Sequence, residues 1–175
     1  MDRAIQTVTE MITQREYKIC DQDDEKLVGE NKRGEKIIAF LHPVIKFNVD
    51  RFKEYVDKLE ALNSGLDKRE YTHCIIVYTD CITPMGKKMV IESPDMKFEL
   101  FSIEELQFNI TKHRLVPLHV KLEDRKVKKF KQKYGLKHQA ILLSDPISRF
   151  YNYKRGDVIK IVRPNNLIAY RIVKG

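Results

Sequence analysis

Apolar residues Ile5, Val8 and Ile12 stand three and four positions apart, the spacing of one helix face, and the chain then turns extended over Tyr17 to Cys20. The acidic cluster Asp21, Asp23, Asp24 and Glu25 is too costly to bury unpaired and predicts a turn. Gly29 and Gly34 bracket a polar loop, and the apolar run Ile37 to Leu41 predicts a buried strand. After Pro43 an extended piece leads to Asp50, read as a helix N-cap. Phe52, Tyr55, Val56, Leu59 and Leu62 then make an amphipathic stripe that Gly65 can end. Thr72 to Tyr78, rich in β-branched and aromatic residues, predicts a central strand. Thr83-Pro84 supplies a cap followed by proline at the first helical position, which predicts a helix over Pro84 to Ile91 stopped by Ser93-Pro94. Met96 to Phe101 reads as another strand, with Ser102 and Glu105 spaced as a capping box.

The pattern changes near Ile110. Leu115 to Leu122 is extended and contains Pro117. Val127, Phe130 and Tyr134 then lie along one helical stripe, with Gly135 as a left-handed stop and Arg125, Lys126, Lys128, Lys129, Lys131 and Lys133 on the other faces. Asp145 to Phe150 predicts another helical turn. Lys154-Arg155-Gly156-Asp157 reads as a tight turn into Val158 to Arg163, and Pro164-Asn165-Asn166 reverses the chain so that Leu167 to Val173 pairs antiparallel with it. The expected organisation is α+β: an N-terminal α/β unit over residues 1–110 and a small α+β unit over 111–175 that ends in a β-hairpin.

Composition narrows the class. Hydrophobic residues make up 42% of the 175, enough for a core, and 33% are charged, a composition that argues against disorder and fibrous repeats. The longest apolar run, Cys74 to Tyr78, falls far short of a membrane span, and the opening MDRAIQTVTE has no signal-peptide core. Cys20, Cys74 and Cys81 are odd in number and form no C-x-x-C pair, as expected of free thiols in a reducing, intracellular compartment. The net charge of +8 hides an asymmetry: Thr111 to Gly175 carries 17 Lys and Arg against 4 Asp and Glu, whereas Met1 to Ile110 carries 16 against 21. The basic unit suits a polyanion or an acidic protein surface.

Four stretches carry a resemblance: LVPLHVKL at 115–122, KYGLK at 133–137, SDPISRFYNYKRGDVIKIVRP at 144–164 and AYRIV at 169–173. In this order they closely resemble the assembly domain of the fifth subunit shared by eukaryotic nuclear RNA polymerases, a domain that in the archaeal enzyme stands alone as one small polypeptide. HCIIVYTD at 73–80, Thr83-Pro84 and FELFSIEELQFNITKH at 98–113 resemble, more loosely, that subunit's jaw domain. The link from Leu136 to Asp145 and the turn at Asn165-Asn166 are shorter than in cellular members, which implies a divergent homologue from a large DNA virus. The resemblance implies a non-catalytic subunit of a DNA-dependent RNA polymerase, docked on the largest subunit through its C-terminal domain, with a restriction-nuclease-like jaw beside downstream duplex. It implies no cofactor, no metal, no small-molecule substrate and no membrane. Its location would be the virion and host cytoplasm if viral, the nucleus if cellular.

The residues themselves support these roles to different degrees. Thr83, Pro84, Lys87 and Lys88 combine a helix N-terminus with two cations, which suits phosphate oxygens; the plainer reading is a solvated helix end. Arg149, Tyr151, Arg163 and Tyr170 are residue types enriched where proteins meet, and the plainer reading is packing of the hairpin. Leu115, Val116, Pro117, His119 and Pro164 join them as interface candidates, with Leu115 to Pro117 alternatively a hinge. The five histidines are scattered, and no zinc, P-loop or nucleophile-elbow motif occurs. Asp23, Asp24 and the Glu-x-Lys fragment Glu30-Asn31-Lys32 are the sole nuclease-like residues, and a polar glycine-flanked loop would not fix them for two-metal hydrolysis. A free-standing basic nucleic-acid-binding regulator is the alternative function.

Overall fold

The computed structural model describes residues 2–66, 70–93, 96–135 and 138–175. The proposed stop at Pro94 and the Leu136-Lys137 end of the KYGLK stretch lie outside them. The chain divides into two compact units, Met1–Phe108 and Asn109–Gly175, each with its own mixed sheet and flanking helices. The architecture is α+β. No helix among the described residues is long and apolar enough to cross a membrane.

In the N-terminal unit, helix α1 (Asp2–Gln14) precedes strands β1 (Lys18–Gln22), β2 (Lys26–Glu30) and β3 (Lys36–Phe47). Helix α2 (Val49–Asn63) leads to β4 (Tyr71–Ile82), and helix α3 (Pro84–Glu92) leads to β5 (Lys97–Ser102). The sheet order is β1-β2-β3-β4-β5, antiparallel from β1 to β3 and parallel from β3 to β5. Even-numbered residues Ile38, Cys74, Ile76, Phe98 and Leu100 face Phe52, Tyr55 and Leu59 of α2, as the two-residue period of a strand requires. The opposite face receives α1, whose Val8, Met11 and Ile12 are buried.

Strand β2 corrects the loop expected around Gly29. A Cβ at Gly29 would stand 2.7 Å from Ile12 Cγ2 and 3.3 Å from Ile37 Cγ2, so this glycine marks the close approach of α1 to the sheet rather than a turn. Asp21 likewise belongs to β1, leaving only the stretch around Asp24 as the turn. Pro43 sits within β3 where the pairing with β4 shifts register, a place that tolerates its missing N–H. The cap of α2 is Asn48, whose side chain accepts from the Arg51 N–H at 2.9 Å; Asp50 sits in the first turn, where its charge still favours the helix dipole. Ser102 and Glu105 bond reciprocally at 2.9 and 3.2 Å as a capping box, but on a turn rather than a helix.

The C-terminal unit holds β6 (Leu118–Lys121), α4 (Asp124–Tyr134), β7 (Ala140–Leu142), α5 (Pro146–Tyr151), β8 (Val158–Val162) and β9 (Ile168–Lys174). Its sheet runs β6-β8-β9-β7, with β6/β8 and β8/β9 antiparallel and β7/β9 parallel. Phe130 of α4 packs with Val158 and Ile172 on one face. On the other, Ile159, Ile161 and Val173 meet Ile141, Ile147 and Tyr153. Gly135 ends α4 with φ +72, the left-handed conformation expected of it. Strand β7 has no signature in the sequence, because a segment this short has no measurable alternation and is defined by pairing with β9.

Candidate functional site

At the end of β4, Thr83 caps α3: its Oγ accepts from the Gly86 N–H at 3.1 Å, and Pro84 occupies the first helical position. The Thr83 N–H donates to the Phe47 carbonyl at 2.9 Å, holding the helix start against the end of β3. Gly86 permits this, since a Cβ there would come within 3.2 Å of that carbonyl. Pro84 has no N–H and Gly86 spends its own on the cap, so the first turn offers little of the amide cradle expected from the sequence. Positive charge is what remains. Lys87 and Lys88 are exposed, with Lys88 3.8 Å from Glu92 one helical turn on.

On the C-terminal unit, Leu115, Val116, Pro117, His119, Arg163 and Pro164 together line one cleft of about 640 Å³. Register explains the gathering. His119 of β6 stands opposite Ile161 of β8, and Arg163 and Pro164 follow directly after β8. The His119 ring is oriented by Nδ1, which donates to the Pro117 carbonyl at 2.7 Å. Two further arginines line the cleft, Arg114 and Arg171, neither singled out from the sequence. Register could have flagged Arg171, which pairs with Ile159 across the hairpin.

The remaining interface candidates stand elsewhere. Tyr170 packs against Phe130 of α4 at 4.8 Å between ring centroids, on a groove rimmed by Lys126, Lys129 and Lys133. Tyr151 stacks on Tyr153 at 5.4 Å and 16°, and burial pushes its phenol up while a hydrogen bond to Thr111 works against that. Arg149 is half-buried on α5.

One polar cluster was invisible in the sequence. Arg15, just after α1, grips Glu99 of β5 through two hydrogen bonds of 2.7 and 3.0 Å, and His73 Nε2 of β4 contacts the same carboxylate. Arg15 and Glu99 side chains are 4% and 12% exposed. Burial pushes the Glu99 carboxyl up, but Arg15 and His73 outweigh it and hold the group well below the usual carboxylate range. Burial drives the His73 imidazole down against the pull of Glu99. Residues so far apart in the chain leave no local signature.

The nuclease-like residues are dispersed. Glu30 ends β2 rather than lying in a loop, which corrects the sequence-based expectation for it. Asp23 spends one oxygen on the N–H groups of Glu25 and Lys26 at 2.8 and 2.7 Å. Among the described residues no group of three His, Cys, Asp or Glu is placed to hold a metal ion.

Residues 108–173 match the family model described as RNA polymerase Rpb5, C-terminal domain. Over 190 aligned residues, 98% of each chain, the protein is 30% identical to the "Putative DNA-directed RNA polymerase subunit 454R" of Invertebrate iridescent virus 6. The chain belongs to the Rpb5 family of RNA polymerase subunits. Cellular Rpb5 relatives match as well. The rpabc1 subunit of RNA polymerases I, II and III from Dictyostelium discoideum is 30% identical over 190 residues, covering 95% of this chain and 93% of that protein. RPABC1 of Caenorhabditis elegans is 31% identical over 126 residues, 67% of this chain and 60% of that one. Among solved structures, the DNA-bound ATP-dependent Type ISP restriction-modification enzyme LlaBIII aligns at a TM-score of 0.39 and 16% identity, over 78% of this chain and 10% of that one. A likeness that weak supports no argument.

Proposed function

We propose that this Rpb5-family chain works as a non-catalytic subunit of a multisubunit DNA-dependent RNA polymerase. Its C-terminal unit docks on the largest subunit, and its N-terminal unit lies beside downstream duplex DNA. The observation that carries the docking reading is the cleft of Leu115 to Pro117, His119, Arg163 and Pro164, because it lies wholly within the stretch matching the Rpb5 C-terminal domain. Arginine beside exposed apolar residues is the composition of a protein interface rather than of a solvated surface. Affinity purification of the tagged chain from its native source is expected to recover the two largest polymerase chains. Their absence under gentle salt would overturn the reading, as would tight, salt-sensitive DNA binding by the chain alone, which is what a free-standing regulator would do.

The DNA reading rests on Lys87 and Lys88 at the exposed start of α3. Lysines at a helix start neutralise phosphate and carry no base readout, so contact there is independent of sequence. In the assembled polymerase, Lys87→Ala should lower the slope of log affinity against log salt by about 0.9 on any downstream sequence, and Lys88→Ala should lower it as well. Lys88 should give the smaller change, since Glu92 already shares its charge. An unchanged slope in the double variant would remove α3 from the DNA path.

A further inference from the structure

The cleft on the C-terminal unit has one sign of charge. Arg114, Arg163 and Arg171 line it beside His119, and no carboxylate does. The acidic residues of this unit are committed elsewhere: Glu123 to Lys126 at 3.1 Å, Asp157 to Lys121 at 2.9 Å, Asp145 to the Ile147 N–H at 2.9 Å, and Asp124 to the first turn of α4. None of the three guanidiniums has an ion-pair partner among the described residues. Arg171 Nε is in addition buried without a hydrogen-bond acceptor. Buried donors are seldom left so, and the orphan marks Arg171 as a side chain that the unit does not itself satisfy.

The chemistry of the rest of the lining selects the acceptor. Guanidinium forks fit carboxylate and phosphate alike. Single-stranded nucleic acid, however, is held by successive bases stacking on several aromatic faces, and His119 is the one aromatic ring among the residues lining this cleft. Val116 and Pro117 supply an apolar wall instead, extended by Leu115, which is 75% exposed. We propose that the cleft receives an apolar polypeptide segment bearing carboxylates, contributed by the docking polymerase subunit, with Arg171 and Arg163 gripping those carboxylates. This rests on the docking reading above and names the chemistry of the partner.

The test uses the full chain and a fluorescent peptide in which Asp and Glu alternate with Leu and Val. Its Asn/Gln counterpart and a single-stranded oligonucleotide serve as competitors. The acidic peptide is expected to move the amide signals of Leu118 to Lys121, Arg163 and Arg171, and the amide counterpart to bind roughly tenfold more weakly per lost carboxylate contact. The Arg163→Gln/Arg171→Gln double variant should lose the same factor, and Arg171→Lys, which keeps the charge but not the fork, should also weaken binding. Equal binding of acidic and amide peptides by the unaltered chain overturns the proposal whether or not any variant folds, and so does displacement of the peptide by the oligonucleotide at equal concentration. The docking reading is separated by purification. If tagged Arg163→Gln/Arg171→Gln, folded by circular dichroism, recovers the polymerase undiminished at raised salt, the arginine grip is wrong while docking stands. If the unaltered chain recovers no polymerase, docking fails and the peptide comparison alone decides the cleft's chemistry.

Discussion

Glu99→Gln should destabilise the N-terminal unit by about 3–5 kcal/mol, out of proportion to the exchange of one atom. The substitution conserves volume, yet it leaves the Arg15 guanidinium, 4% exposed, without the carboxylate that compensates its burial. Arg15→Met should cost about as much, because the carboxylate then keeps only His73. The combined Arg15→Met/Glu99→Met variant should recover most of the loss, since a buried pair replaced by apolar groups of similar size is often neutral. Acid should act through the same cluster. His73 has its pKa lowered from the ordinary 6.5, so the unfolded chain takes up that proton first, and the stability His73 contributes erodes as pH falls below about 6.5. Glu99 has its pKa lowered from the ordinary 4.5, so its contribution is complete above that value and is lost as pH falls further toward the folded-state pKa. Urea titrations read at the amides of β4 and β5 would show both stages. A loss under about 1 kcal/mol for Glu99→Gln would mean that water reaches the cluster and compensates it.

Ile159→Ala should remove a large part of the C-terminal unit's stability outside a complex. Ile159 is 0% exposed at the middle of β8, paired with Lys121 on one side and Arg171 on the other, and packed among Ile141, Ile147, Tyr153, Ile161 and Val173. Truncating such a side chain costs about 2–5 kcal/mol. At roughly 0.05–0.15 kcal/mol per residue, a unit of this size has a total stability on the order of 3–10 kcal/mol, so the loss is a large part of the whole. Ile159→Val should cost only about 0.5–1.5 kcal/mol and stay folded. Docking should partly rescue the alanine variant, because a partner that binds only the native state shifts the balance toward it. Hydrogen exchange gives the readout: protection of β8 and β9 should collapse while that of β3 and β4 persists. Loss of protection in both sheets would mean that the two units unfold as one.

Elements with a long regular pattern were legible in the chain. The stripe Phe52, Tyr55 and Leu59 became the buried face of α2, and Thr83-Pro84 became the cap and first residue of α3. Short or exceptional elements were not. Gly29 looked like a loop marker because the contact that requires it comes from Ile12, in a different element. Three-residue β7 has too little length to show a period, and Asn48 outcompeted Asp50 as a cap by geometry that spacing alone does not reveal. The cleft was legible in part: Arg163 stood out as a residue type and Leu115 to Pro117 as interface or hinge candidates, whereas half-buried Tyr170 and Tyr151 engage in ring packing elsewhere.

What the amino-acid order determined by itself was local and additive: the periodicity that makes most helices and strands, the caps, the concentration of positive charge after Ile110, and the ordered motifs that mark the family. Tertiary structure alone decided which distant groups meet. It brought Arg15, His73 and Glu99 onto one buried carboxylate, and it set Arg114, Arg163 and Arg171 around one cleft without an acid among them. The physical reason is range. Propensity acts over a few neighbouring residues, while the strength of a charge or hydrogen bond depends on burial and on partners that only strand register and helix packing bring within reach.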